Sequence, residues 1–140
     1  MFKYFNRIVA LFFLLGSSIL LRAQSKEQDI QTIMKLIHIN ETMGIMVENS
    51  IAIYKKKYPY TQQKVWDEIK ASVNYSKYSK KIFGIFDNSY TQPELKVLLQ
   101  QAATIPSSKL RLKKNVQNEL FRTGNEFGIE VAKIIQKKFP

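Results

Sequence analysis

Apolar residues recur at three- and four-residue spacings from about Lys26 onward, and no stretch alternates as a half-buried strand would, so the pattern predicts an all-helical chain. Ile30, Ile33, Met34 and Ile37 form the stripe of a first helix from about Lys26 to Ile39, with Ser25 and Gln28 spaced as a capping box. Asn40 stands where it would cap a second helix to about Lys57, whose inward positions are Met43, Met46, Val47, Ser50, Ile51 and Tyr54. Tyr58-Pro59-Tyr60 ends it, because proline disfavours helix in the residue before it.

Thr61 is placed as the cap of a third helix with Val65, Trp66, Ile69 and Val73 on one face. A break near Asn74 leads to a fourth through Tyr78, Ile82, Phe83, Ile85 and Phe86, and the pattern leaves open two helices or one kinked helix. Thr91-Gln92-Pro93-Glu94 is a capping box with proline in the first turn, flanked by Tyr90 and Leu95 at staple positions. The fifth helix carries Leu95, Leu98, Leu99 and Ala102 and is stopped by Thr104-Ile105-Pro106-Ser107.

A last helix is expected from about Ser108 to Lys137. Its stripe is Leu112, Val116, Leu120, Gly124, Phe127, Val131, Ile134 and Ile135, and Glu119, Arg122, Glu126, Glu130 and Lys133 form a water-facing charged ladder opposite. Gly124 and Gly128 sit inside that helix, each costing about 1 kcal/mol against alanine. A close helix crossing is the expected offset, with a ligand slot or a self-association face as the functional reading.

The start of the chain has a different pattern. Lys3 and Arg7 precede an apolar run from Ile8 to Leu15 that resumes at Ile19 to Leu21, and no acidic residue occurs before Glu27. That run is shorter than the roughly twenty residues a membrane-spanning helix needs, and Ala23 followed by Gln24 supplies a small residue for cleavage. The expected organisation is a signal peptide at 1–23 and one helical domain at 24–140, with export to the periplasm or the medium. An uncleaved anchor is the alternative. The fold class is therefore all-α, a single-domain bundle of about five to six helices behind a signal peptide, and the absence of cysteine leaves it no disulfide.

Charge narrows the partners. The chain has 22 basic and 11 acidic side chains, and loss of Lys3, Arg7 and Arg22 with the leader leaves the mature domain at +8. That sign favours anionic partners in general, namely an anionic membrane, a glycan surface or nucleic acid, without choosing among them. Lysines at helix ends also have a local reason, the negative end of the helix dipole. Basic residues interleave with tyrosines at Lys55 to Tyr60 and at Tyr75 to Lys81, but export makes nucleic acid a poor partner.

Catalytic chemistry has little to stand on. His38 is the only histidine and with Glu41 offers at most two ligands where zinc takes three or four. No Gly-x-Ser-x-Gly turn accompanies it, and Gly16, Gly44, Gly84, Gly124 and Gly128 make no phosphate loop. No catalytic, metal or cofactor-binding residue is assigned, and no cofactor is expected.

An aromatic residue, then threonine, then Glu-Leu opening a helix occur here as Tyr90, Thr91, Glu94 and Leu95, followed by Lys109, Gly124 and Phe127. On those residues the segment 82–127 resembles the bacterial exported family called domain of unknown function 2059. Gln101 and Ala102 stand where that family has Phe-Tyr, Thr104 and Ile105 where it has Ser-Pro, and Ser107 where it has glycine. The resemblance implies an exported helical domain without an established activity, so it supplies no catalytic residue. The expected function is a non-enzymatic envelope module that binds a protein or an anionic surface. An enzyme with a site between helices near His38, and a homo-oligomer through the Gly124 and Gly128 face, are the alternatives.

Overall fold

The computed structural model of the chain describes residues 26–139; the expected leader and its cleavage point at Ala23 and Gln24 lie outside the described residues. Among these the chain is all helical: α1 (residues 26–36), α2 (Ile39–Lys57), α3 (Gln63–Ala71), α4 (Tyr75–Ser89), α5 (Gln92–Thr104), a 3-10 turn at Ser107–Lys109, and α6 (Lys114–Gln136). Helices α2, α4 and α6 pack on one another as the central layer, with the most extensive contact between α4 and α6. No helix among the described residues is long and apolar enough to cross a membrane.

Local chemistry sets each boundary, and in three places it differs from the periodic pattern. His38 adopts φ 57 and ψ 40, a left-handed conformation uncommon for a residue with a side chain, and it divides α1 from α2. Its carbonyl accepts from Thr42 N–H at 2.9 Å, so α2 begins at Ile39 and Asn40 is not its cap. The N-cap of α3 is Gln62 in extended conformation, one residue after Thr61, and no side chain caps it. The last helix begins at Lys114 rather than near Ser108. Leu110 and Leu112 instead pack on the core from the segment between the 3-10 turn and α6, and the Tyr90 hydroxyl accepts from Lys113 N–H at 2.9 Å.

Elsewhere pattern and structure coincide. Asn74 accepts from Lys77 N–H at 3.0 Å and starts α4 as a helix separate from α3. Thr91 and Glu94 form the reciprocal capping box, with Pro93 in the first turn. Tyr90 and Leu95, the expected staple, are both buried in the same cluster.

The apolar stripes converge on two cores threaded by the same two helices. The first joins Met43, Val47 and Ile51 of α2 with Trp66 and Ile69 of α3 and with Phe127, Val131 and Ile135 of α6. The second joins Ile30 and Ile33 of α1 with Ile82 and Phe86 of α4, Leu95 and Leu98 of α5, and Val116 of α6. Each large apolar side chain so buried contributes roughly 1.5–3 kcal/mol, which gives both ends of the bundle a comparable driving force. α3 therefore closes one end of the central layer, and α1 with α5 closes the other.

Candidate anionic-surface site

The end closed by α3 gathers rings beneath lysines. Phe139 stacks on Tyr58 at 4.5 Å and on Trp66 at 5.0 Å between ring centroids, and Tyr54 lies 6.4 Å from Tyr58. This pile fixes the turn after α2 against the residues after α6. Lys55 extends over Trp66 at 5.9 Å and bonds Gln63 Oε1 at 3.3 Å, and Lys57 lies over Tyr58 at 5.4 Å. At the tip of the turn Tyr60 is 98% exposed. An aromatic ring left wholly in water beside lysines is the amphipathic arrangement that suits a membrane or glycan interface.

Most acids of the domain already hold a cationic partner, Glu48 and Glu68 at this end included. Glu130 of α6 accepts from the Tyr78 hydroxyl at 2.6 Å and pairs with Lys77 at 2.7 Å, and Glu126 pairs with Lys81. The Lys77 ammonium and the Tyr78 hydroxyl hold the Glu130 carboxyl below the usual carboxylate range, while burial and Glu130 push the Tyr78 hydroxyl up. The expected ladder along α6 is thus corrected: Glu119 and Arg122 pair within the helix at 2.6 Å, whereas Glu126 and Glu130 reach across to α4. The reason is the tight α4–α6 packing, which puts those carboxylates nearer to lysines of α4 than to their own helix's cations.

Glu68 is engaged by Lys138 at 2.9 Å, Glu48 by Lys70, Asp87 by Lys26 and Glu94 by Lys113. Lys55, Lys56, Lys57, Lys64, Lys133 and Lys137, on the elements meeting at this end, make no ion pair with any described residue, and neither do Lys35, Lys80, Lys96, Lys109, Arg111 and Lys114 on the rest of the bundle. Helix electrostatics accounts for the three at the end of α2 but not for Lys64, which enters the first turn of α3 against the positive end of its dipole. Beside them a shallow hollow of about 650 Å³ is lined by Lys133, Lys137, Ser72 and Gln136 together with the Lys77–Glu130 pair. Its cationic rim can hold an anionic headgroup by charge and hydroxyl contacts.

The other sequence-marked residues lie apart from this end. His38 is exposed at the α1–α2 joint, with Nδ1 3.6 Å from Glu41 Oε1. Glu41's own backbone N–H and then His38 hold that carboxyl below its ordinary range. A hollow of about 720 Å³ lies between α1, α2 and α4 with Met34, Ile39 and Phe83 as its apolar floor and Lys35, Glu41 and Lys80 on its edge. Gly124 and Gly128 are half-buried on α6. A Cβ placed on Gly124 would meet no atom within 4 Å, and one on Gly128 would meet Met46 Cε at 3.8 Å, an ordinary contact. Among the described residues no neighbouring helix comes close enough to need either position to be glycine.

Thr123 was passed over by the periodic reading, which counted only apolar residues on that stripe; it is 1% exposed. Its spacing from Leu120 and Phe127 places it on the inner face, and that spacing was the available signal. No family model, curated protein or solved structure matches the chain.

Proposed function

We propose that the protein is an exported, non-enzymatic helical module of the cell envelope that docks on an anionic surface through the α3 end. The observation that carries the reading is the grouping, on the elements that meet at that end, of six lysines without ion pairs and the exposed Tyr60. The apolar start of the chain and the resemblance of residues 82–127 to an exported helical family support the compartment. N-terminal sequencing of the mature product is expected to begin at Gln24.

A cation near an anionic bilayer contributes about 1 kcal/mol, so neutralising Lys56, Lys57 and Lys137 together weakens vesicle binding by roughly two orders of magnitude. The test is co-sedimentation of the domain with phosphatidylglycerol vesicles against zwitterionic vesicles over a salt series. Retention on the anionic vesicles that fades with salt supports the reading, because exposed charges are screened. No retention at low salt, or equal retention by the triple Lys→Gln variant, refutes it. A second reading, self-association, rests on Phe121 and Ile129 of α6, 73% and 56% exposed on the helix that carries the glycines. Concentration-dependent sizing of the wild type, abolished in Phe121→Glu, would favour it.

A further inference from the structure

The seam between the two cores holds a slot of about 110 Å³ between α2, α4 and α6, walled by Ile39, Met43, Met46, Tyr78, Ile82 and Phe127. None of its ten lining residues is charged. Thr123 and Gly124 lie side by side on its α6 wall. The Thr123 hydroxyl is buried and has no hydrogen-bond partner among the described residues.

That hydroxyl departs from the habit of its own protein. Thr32, Ser50, Ser72 and Thr104 each donate to the carbonyl four residues earlier, at 2.8 to 2.9 Å. Thr123 has the same option on α6 and does not take it, which leaves a buried polar group facing an apolar slot. A water there would need two or more polar partners. The Tyr78 hydroxyl donates to Glu130 and keeps only acceptor capacity, so the Thr42 and Thr123 hydroxyls are the side-chain donors that the lining offers. The rest of the lining is apolar, so a molecule with one polar atom on a small apolar body fits the slot better than water alone.

Gly124 keeps the space open, since nothing lies within 4 Å of where its Cβ would be. An apolar protein cavity of about 150 Å³ accepts a benzene ring, so this one takes a fragment of about four or five non-hydrogen atoms. We propose that the slot binds a small neutral ring or branched chain bearing a single oxygen, seated on the Thr123 hydroxyl. The site is independent of the lysine-rich end.

The probe is cyclobutanol, with cyclobutane as the partner lacking oxygen, followed by methyl NMR of the full domain labelled at methionine and isoleucine. Saturable shifts confined to Met43, Met46, Ile39 and Ile82 are expected, with the alcohol bound about fivefold more tightly than the hydrocarbon, the worth of one hydrogen bond. Thr123→Val keeps the shape and should erase that preference. Gly124→Ala adds a methyl that the fold accommodates and should abolish binding of both, while the unliganded spectrum stays native. Absence of shifts, a preference that survives in Thr123→Val, or undiminished binding in Gly124→Ala overturns the proposal. So does movement of the same methyls on dilution without ligand, which would assign the slot to a second copy of the chain.

Discussion

The core around Trp66 is closed by rings stacked from distant parts of the chain, and the core around Leu95 by main-chain caps beside the neighbouring Phe86 and Tyr90 rings. In the first, Trp66, Tyr58 and Phe139 stack across three separate parts of the chain, so closure depends on contacts distant in sequence. In the second, the Thr91–Glu94 box and the Tyr90 hydroxyl on Lys113 N–H fix the path within about two dozen residues. Six of the unpaired lysines and Tyr60 lie on the end whose order comes from long-range packing. A docking surface built that way is kept in shape by the core beneath it.

The comparison can be broken most forcefully from inside. Trp66→Ala and Phe86→Ala each remove a fully buried ring and are expected to cost about 3–5 kcal/mol in denaturant melts followed by circular dichroism. Because α4 and α6 thread both cores, each variant should move one shared transition; separate transitions would make the two ends independent units. Tyr78→Phe removes a hydroxyl bonded to the Glu130 carboxylate and should cost about 1.5 kcal/mol, measured as a lower denaturation midpoint. Thr91→Ala should cost about 1 kcal/mol and locate the loss at the start of α5 by amide exchange.

The smallest effect is acid sensitivity of the capped end. Lys113, and then the Thr91 backbone N–H, lower the Glu94 carboxyl from 4.5 to about 2. A carboxyl depressed in the folded state adds stability that is complete above its unfolded value and disappears as pH falls toward the folded one. Melts of the wild type between pH 4.5 and about 2 should therefore weaken more steeply than melts of Glu94→Gln. Equal slopes would remove Glu94 from the acid response.

Most of the helices were legible because their signals are local. A capping box, a proline after Ile105 and an apolar stripe through Met43, Val47 and Ile51 are all written within a few residues, and the structure repeats them. The misplaced boundaries came from interactions that periodicity does not encode. His38 turns the chain by one left-handed residue, and the segment before α6 is held extended by Tyr90 from more than twenty residues away. The candidate site was half visible: the lysine runs could be read, but which lysines lose their carboxylates depends on α4 lying against α6. Thr123 was hidden for a related reason, since its chemistry lies in a bond it does not make.

Trp66 is the chain's only tryptophan, and it lies in the ring pile with Phe139 above it and the Lys55 ammonium over its face. Intrinsic emission excited at the indole therefore views one end of the molecule, and the Leu95 end is optically silent to it. An anion drawing Lys55 away, or the Phe139 ring lifting, changes the indole's surroundings directly. Spectral shift on titration thus becomes a label-free gauge of surface docking, and a melt followed by emission will report the ring-closed end even where the whole-chain dichroism reports both.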